Sequence, residues 1–144
     1  MSLIDKSYAG EGMYRENILD HFSNPRHFGK LENFDAEHRE FNPLCGDEAT
    51  IRVKIEDNII KDIKFFGKGC AISMAATSML LSELKGKKLD EVKNCQKEFV
   101  LDLLNIQISP MRIKCALLGL ETLRRVINLY EGEEVEKIDK KICL

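Results

Sequence analysis

The stretch TIRVKIEDNIIKDIKFF (residues 50–66) decides the fold class, because it alternates on both sides of a turn. Ile51, Val53 and Ile55 alternate with basic residues before the turn sequence EDN, and Ile63 and Phe65 alternate with charged residues after it. Successive side chains of a strand point to opposite faces of a sheet. The stretch therefore predicts a β-hairpin with one face in the core and the other in solvent.

The hairpin is followed by GKGC (67–70), which breaks the pattern, and then by AISMAATSMLLSEL (71–84). This second segment is small and apolar on nearly every side, which is typical of a helix buried on most of its surface. Gly86 fits a C-terminal cap of that helix. The centre of the chain thus predicts a hairpin packed against a buried helix.

The residues before the hairpin predict a mobile tail over 1–12 and an amphipathic helix from Met13 that ends in SNPRHFG. Residues 30–42 carry charge without a clear period and indicate an irregular connection. The apolar stripe of the first helix consists of Tyr14, Ile18, Leu19 and Phe22.

Two further helices are predicted after the buried one. Asp90 can cap the first of them, and NIQISPM forms a loop before the second begins at about Cys115. The charged residues 131–144 form a tail that either continues the last helix or frays. The two apolar stripes are Val92, Cys95, Phe99 and Leu103, and then Ala116, Leu120, Leu123, Ile127 and Tyr130.

The composition narrows the classes of function. With 144 residues, of which 44% are apolar and 32% charged, the chain has material for one domain. The net charge of −2 gives no electrostatic case for binding nucleic acid or an anionic membrane. No segment has the pattern of a signal peptide or a membrane span, so we expect a cytoplasmic protein whose partners are proteins or small species.

The five cysteines separate by context. In a reducing compartment they are not expected to form disulfides. Cys95 lies on an apolar stripe and is expected to pack as a small hydrophobe, and Cys143 lies in the charged tail as an incidental exposed thiol. Cys45, Cys70 and Cys115 instead lie at junctions between loops and regular elements, where sites tend to be built.

The helix starts predicted after Cys70 and at Cys115 favour thiolate over thiol, since free N–H groups are concentrated there. Lys68, Arg112 and Lys114 lie next to these cysteines in sequence and would favour the thiolate further. The spacing shows no C-x-x-C pair of the kind that marks zinc sites. A shared metal or sulfur site, unrelated core thiols and a conventional structural zinc site all remain open on these grounds.

Four successive motifs resemble those of one family, the IscU/SufU/NifU N-terminal family of iron-sulfur assembly proteins. They are DHFSNPRHFG (20–29), NPLCGDE (42–48), GKGCAISMAATSML (67–80) and RIKCALLGLETL (112–123), and the resemblance runs from about residue 13 to residue 130. It implies an α+β fold in which a small antiparallel sheet of about three strands packs against several helices, with the three cysteines together at one end.

Carried over by motif, the resemblance implies that Cys45, Asp47, Cys70 and Cys115 bind the metal or cluster. Soft thiolates suit iron-sulfur clusters and zinc, and a carboxylate makes the cage less complete than four thiolates would. Cys115 and Cys45 are the candidate persulfide acceptors. His21, His27 and His38 have no motif position of a ligand, and packing or solvation is expected for each.

The family contains two functions, and this sequence carries marks of both. Scaffold members usually have His before the last cysteine, where this chain has Lys114, and protonated Lys offers no lone pair to a metal. A lysine there and GCAISMA resemble the zinc-dependent sulfurtransferase branch, but the 44 residues between Cys70 and Cys115 leave no room for the insertion usual in that branch. Before the last motif, ISPMRIK keeps one proline and a basic residue of the chaperone-recognition segment of the scaffolds.

The resemblance favours a scaffold, which would not be an enzyme, that receives sulfur from a cysteine desulfurase. It would bind iron or a transient [2Fe-2S] cluster, with an electron donor as a further partner, and pass the cluster to recipient apo proteins. The alternative is a zinc-dependent sulfurtransferase, and a third possibility is a structural zinc domain. Lys114 is also hypothesised to pair with Asp47 when the site is empty.

Overall fold

A computed structural model describes the backbone of residues 15–43 and 45–143, and side chains as far as residue 132. Within these residues three strands and five helices follow in the order α1 (Glu16–Ser23), β1 (Ala36–Asn42), β2 (Asp47–Glu56), β3 (Ile59–Lys68), α2 (Ala71–Leu84), α3 (Leu89–Lys93), α4 (Lys97–Leu104) and α5 (Pro110–Cys143). The predicted tail over 1–12, the start of the first helix at Met13 and the side chain of Cys143 lie outside the described residues.

The sheet has the order β1-β2-β3, and both pairings are antiparallel. Its centre is the predicted hairpin, which turns through Asp57 and Asn58 with φ angles of 54° and 61°. Two successive positive φ angles are those of a type I′ turn, whose twist matches that of the flanking strands. The predicted hairpin is confirmed, and β2 begins earlier than the alternation indicated, at Asp47.

β1 corrects the prediction of an irregular connection over 30–42. Only its end residues, Ala36 and Asn42, are buried, so the segment shows no apolar alternation. Its pairing with β2 is reinforced by ion pairs across the two strands, in which Arg39 lies 2.9 Å from Glu48 and Arg52 lies 2.9 Å from Glu37. The carboxylates and guanidinium groups thus stabilise a strand that hydrophobic periodicity does not reveal.

The first motif closes the other side of the sheet. Phe65 donates its N–H to the carbonyl of His27, and Gly29 donates to the carbonyl of Phe65. The ring of Phe28 lies edge-on against that of Phe65, with centroids 5.3 Å apart. The segment after α1 therefore pairs with the outer edge of β3, which protects an edge that would otherwise be free.

The core lies between the sheet and two helices: α5 packs against β1 and β2, and α2 packs against β3. α2 also contacts α1, α4 and α5. Ten of the fourteen residues of α2 are buried, as its composition predicts, and Gly86 follows with φ +88° at its C-terminal end. In α1, Ile18 is fully buried, but Leu19 and Phe22 are 40% and 41% exposed, so the predicted stripe is only partly internal.

The single helix predicted after Asp90 is two short helices, α3 and α4, separated at residues 94–96. Lys88, and not Asp90, occupies the N-cap of α3, and its N–H donates to the side chain of Glu91. Cys95 lies between the two helices and is 8% exposed, so its predicted core position is confirmed.

The last helix begins at Pro110, five residues before the predicted start. Proline suits the first helical position because its missing N–H would be unpaired there. The helix continues through the charged residues to Cys143, which decides between the two predicted outcomes in favour of continuation. No helix among the described residues is long and apolar enough to cross a membrane.

Candidate metal and sulfur site

The site begins in the loop that joins β1 to β2. Asn42, the last residue of β1, pairs with Asp47, the first residue of β2, and the N–H of Gly46 donates to the carbonyl of Asn42 at 2.8 Å. Gly46 has φ +79°, a left-handed conformation that glycine adopts at little cost. This closed loop presents Cys45, whose side chain is exposed, at the end of the sheet.

Cys70 is brought to the same place by the start of α2. It is the N-cap residue of that helix, and its N–H donates to Oδ1 of Asp47 at 3.2 Å. A carboxylate at a helix N-terminus is stabilised by the partial positive charge there. Asp47 therefore holds the start of α2 against the start of β2, and the predicted position of Cys70 beside a helix N-terminus is confirmed.

Gly69 permits this close approach. A Cβ atom at this position would collide with Oγ of Ser73 and would lie 3.2 Å from Cγ of Asp47. Ser73 is itself held in place, because its hydroxyl donates to the carbonyl of Cys70 at 3.1 Å. The sequence analysis does not identify Gly69 and Ser73 as supporting residues, although the two glycines of GKGC are a signal of a close backbone approach.

Cys115 approaches from α5. The helix begins at Pro110, so Cys115 lies more than one turn inside it and not at its N-terminus as predicted. Cys115 is 5% exposed, and its Sγ lies 3.3 Å from Sγ of Cys45. Two thiols that are 70 residues apart in sequence are therefore in direct contact.

The electrostatics differ from those expected for Cys115. Burial raises the pKa of its thiol, and the hydrogen bond to Cys45 and the negative charges of Cys70, Cys45 and Asp47 raise the same pKa further. The prediction that a helix start favours the thiolate at Cys115 is therefore wrong, because the helix starts five residues earlier and the surroundings of Cys115 favour the thiol.

Asp47 supplies the evidence that the residues fit a metal. The residue is 4% exposed, and its Oδ2 is buried and has no hydrogen-bond partner among the described residues. One oxygen of Asp47 and the sulfurs of Cys45 and Cys115 all lie within 4.8 Å of one another. An unpartnered buried carboxylate oxygen is costly, and a cation held between it and the two sulfurs would satisfy it.

Three of the four predicted ligands lie together in the structure. Cys45, Asp47 and Cys115 form a compact group, whereas Cys70 is joined to it through its backbone and its sulfur lies outside the 4.8 Å group. The Cys70 side chain is half-buried at the margin.

The basic residues next to the cysteines in sequence do not converge on the site. Lys68 is 76% exposed on its side chain, and its Nζ lies 4.0 Å from Glu48. Lys114 is exposed, and no ion pair between it and Asp47 is found among the described residues, so the hypothesis that the two residues pair gains no support from the structure.

The histidines lie elsewhere in the fold. His21 contacts Oγ of Ser78 at 2.7 Å, and His38 lies 2.8 Å from Glu40. His27 occupies a left-handed turn position with φ 61° before the segment that pairs with β3. The prediction that each is packed or solvated fits these positions, and none belongs to the group of possible metal ligands found among the described residues.

Comparison with known proteins gives a consistent result. Residues 13–137 match the model of the NifU-like N terminal domain. The iron-sulfur cluster assembly scaffold protein IscU 1 of Archaeoglobus fulgidus is 39% identical over 128 residues, covering 89% of this chain and 82% of its own length. The zinc-dependent sulfurtransferase SufU of Bacillus subtilis is 34% identical over 137 residues, covering 83% of this chain and 92% of its own length.

Among solved structures, the fold resembles a protein from Fervidobacterium islandicum described as a putative iron-sulfur cluster assembly scaffold protein for the SUF system. The TM-score is 0.69 at 30% identity, covering 80% of this chain and 96% of the other. The predicted α+β fold, with three antiparallel strands against helices, is therefore confirmed. Since the family model and these relatives span most of the chain, the protein belongs to the NifU-like N-terminal domain family.

Proposed function

We propose that this protein is a scaffold on which an iron-sulfur cluster, a transient [2Fe-2S] unit, is assembled and then passed to recipient apo proteins. The observation that carries the proposal is the group formed by Cys45, Asp47 and Cys115, with a buried carboxylate oxygen that lacks a partner beside two sulfurs. Cys70 lies at the margin of this group and provides a third sulfur. These are the residues that the four sequence motifs had indicated.

The donor set suits a cargo that must leave again. Thiolates bind iron strongly, and a single carboxylate in place of a fourth thiolate makes the cage weaker. Cys45 is exposed at one side of the group, so a cluster held there is open to another protein. Asp47 and Cys115, by contrast, are buried and fixed by β2 and α5. The site thus combines two buried ligands, Asp47 and Cys115, with one accessible ligand, Cys45.

Sulfur would arrive as a persulfide from a cysteine desulfurase. A thiolate of the scaffold attacks the outer sulfur of that persulfide, the bond between the two donor sulfurs breaks, and the donor leaves as a thiolate. Within this proposal an electron donor supplies the electrons for cluster formation, the assembly domain spans residues 13–130, and the protein works in the cytoplasm.

The test is anaerobic reconstitution with ferrous iron, cysteine, a reductant and a cysteine desulfurase. The wild-type protein should develop a visible absorption band together with iron and sulfide in equal amounts. Separate Cys45→Ala, Cys70→Ala and Cys115→Ala variants should each lose most of the band, and Cys95→Ala should retain it because Cys95 lies between α3 and α4. A colourless wild-type protein under these conditions would contradict the proposal.

A second function, zinc-dependent sulfur transfer, is favoured by Lys114. A protonated lysine beside the last cysteine is no metal ligand, and three cysteines with one aspartate make a complete tetrahedral set for zinc. The similarity to SufU also supports it. One observation opposes zinc-dependent sulfur transfer. The alignment with SufU has 137 positions but covers only 83% of this chain, so at some of these positions the Bacillus protein has residues and this chain has none.

The two functions predict different stable states. A sulfurtransferase should retain about one zinc ion per chain through reconstitution, stay colourless and increase the turnover of the desulfurase. Zinc in a purified sample does not decide between them, because the same thiolates bind zinc when no cluster is present. The deciding measurement is therefore metal and sulfide analysis after anaerobic reconstitution of protein first stripped of zinc.

A further inference from the structure

The two thiols in contact differ sharply in their accessibility. Cys45 is exposed in the loop between β1 and β2, whereas Cys115 is 5% exposed in α5. A persulfide delivered by another protein must be attacked by a sulfur atom that the donor can reach. If sulfur enters as proposed above, the geometry favours Cys45 as the point of entry.

The same contact offers a route inward. Sγ of Cys45 lies 3.3 Å from Sγ of Cys115, which is within the range of reacting atoms in a near-attack arrangement. A sulfur added to Cys45 is bonded at about 2.05 Å, so it remains within reach of Cys115. In-line attack needs the two Sγ atoms roughly 4 to 5 Å apart, which requires Cys45 to move slightly outward.

We propose that sulfur is loaded in two steps, first onto Cys45 and then onto Cys115. This proposal rests on the sulfur-accepting function argued above and adds to it an order of acceptors. Cys45 is the entry residue, and Cys115 is the residue that holds the sulfur for assembly.

Each step balances without an added oxidant. In the first, the Cys45 thiolate attacks the outer sulfur of the donor persulfide, whose sulfur-sulfur bond breaks to release the donor thiolate. In the second, Cys115 attacks the outer sulfur on Cys45, and the sulfur-sulfur bond on Cys45 breaks. The thiol proton of Cys115 passes to Sγ of Cys45, its partner in the contact between the two thiols.

Transfer to a buried cysteine would protect the sulfur from thiols in solution. A persulfide on exposed Cys45 can be attacked by thiols in solution, which would remove the sulfur again. On Cys115, which is 5% exposed, the same group is shielded from solvent, and it lies near the carboxylate of Asp47, within the group of possible metal ligands. Cys70 is a poorer second acceptor, because its sulfur lies outside that group.

The experiment uses the full-length, metal-free protein and glutathione persulfide as a small donor. The reaction is stopped at intervals with an alkylating reagent, and the sulfur added to each cysteine is measured by mass spectrometry of tryptic peptides. Arg39, Arg52, Lys114 and Arg124 place Cys45 and Cys115 in separate peptides, 40–52 and 115–124. In the wild type, the adduct on Cys45 should appear first and decline as the adduct on Cys115 grows.

Two variants test the order. In Cys45→Ser, loading of Cys115 should slow by at least about tenfold, because direct attack by a buried thiol is hindered. In Cys115→Ser, the adduct on Cys45 should accumulate and persist. Cys95→Ala is the matched control and should reproduce the wild-type time course. Circular dichroism checks the fold of each variant, and the wild-type time course tests the order without any substitution.

Loading of Cys115 at the wild-type rate in Cys45→Ser would overturn the relay and leave the scaffold proposal intact. Simultaneous loading of the two cysteines in the wild type, with no decline at Cys45, would overturn it as well. Failure of every cysteine to accept sulfur, from both glutathione persulfide and a desulfurase, would overturn the relay and the proposed function together.

Discussion

Asp47 Oδ1 accepts the N–H of Cys70 at 3.2 Å, while Oδ2 of the same carboxylate is buried and finds no hydrogen-bond partner in the part of the chain that the structure describes. One oxygen therefore fixes the start of α2, and the other is left for a cation. Oδ1 stabilises the fold through its hydrogen bond. Oδ2 destabilises it, since an unsatisfied buried oxygen costs about 1 to 3 kcal/mol.

Asp47→Ala should separate these two effects. We expect the affinity for zinc to fall by about tenfold or more, because one ligand is lost. The free energy of unfolding of the metal-free protein should stay within about 1 kcal/mol of wild type, because the lost hydrogen bond is offset by removal of the unpartnered oxygen. Competition with a chromophoric chelator and urea unfolding measure the two quantities.

The matched control is Glu48→Ala, which removes the neighbouring carboxylate that pairs with Arg39 and Lys68. Ion pairs of partly exposed groups each contribute no more than about 1 kcal/mol, so stability should fall by at most about that amount and zinc affinity should change only slightly. Equal losses of zinc affinity in the two variants would argue against Asp47 as a ligand.

Gly69→Ala should damage the site through packing. The added Cβ would collide with Ser73 and press on the carboxylate of Asp47, so the contact between Asp47 and Cys70 must shift. We expect a loss of about 1 to 3 kcal/mol in the free energy of unfolding, together with weaker zinc binding. Gly132→Ala, where a Cβ meets nothing within 4 Å in α5, should instead be neutral or stabilising. Destabilisation by both substitutions alike would contradict this explanation.

Lys114→Ala should leave zinc affinity within about threefold of wild type, because a protonated lysine is not a metal ligand. The structure supports this expectation, since Lys114 is exposed and Asp47 lacks an ion pair with it. Isothermal titration with zinc in a weakly chelating buffer measures the affinity. A substantially larger loss of zinc affinity would indicate that Lys114 takes part in metal binding.

The sequence predicted the elements whose burial is regular and failed where contacts across the chain decide. Apolar alternation predicts the hairpin, and apolar composition predicts α2. Neither signal predicts β1, because most of its interior positions are charged or polar, its one interior aromatic residue, Phe41, is exposed, and the strand is defined by its pairing with β2. Local periodicity carries no information about that pairing.

The site followed the same division. The motifs identified Cys45, Asp47 and Cys115, which the fold brings together. The protonation state of Cys115 was predicted wrongly because the start of α5 was placed at the cysteine itself, although the Ser-Pro pair at 109–110 was a signal for an earlier start. The position of Cys70 outside the compact group depends on side-chain geometry, which motif spacing does not determine.

Acid should weaken the fold through two histidines. Burial lowers the pKa of His27, and the charge of Lys85 lowers it further; burial is also the main cause of the lowered pKa of His21. Because the folded chain disfavours the protonated rings, the stability they support is present above the ordinary pKa of 6.5 and is lost as the pH falls below it.

His27→Asn should therefore reduce the loss of stability between pH 7 and pH 5.5. Asparagine tolerates the left-handed conformation that His27 adopts, so the turn is retained. Urea midpoints at several pH values test this, and curves for variant and wild type that stay parallel through this range would contradict it.

Alkylation rates should report the geometry of the site with the protein's own internal control. In metal-free protein Cys45 should react fastest because it is exposed, and Cys115 and Cys95 should react slowly because they are 5% and 8% exposed. Burial also raises the pKa of both slow thiols, which reduces the fraction of reactive thiolate.

Zinc should then protect Cys45 and Cys70 by at least about tenfold, since a bound thiolate is a poor nucleophile, and leave the rate at Cys95 unchanged. Peptide mapping after timed alkylation gives all four rates in one experiment. Protection of Cys95 equal to that of Cys45 would indicate that zinc tightens the whole fold, and the assignment of the metal to the cysteines around Asp47 would then fail.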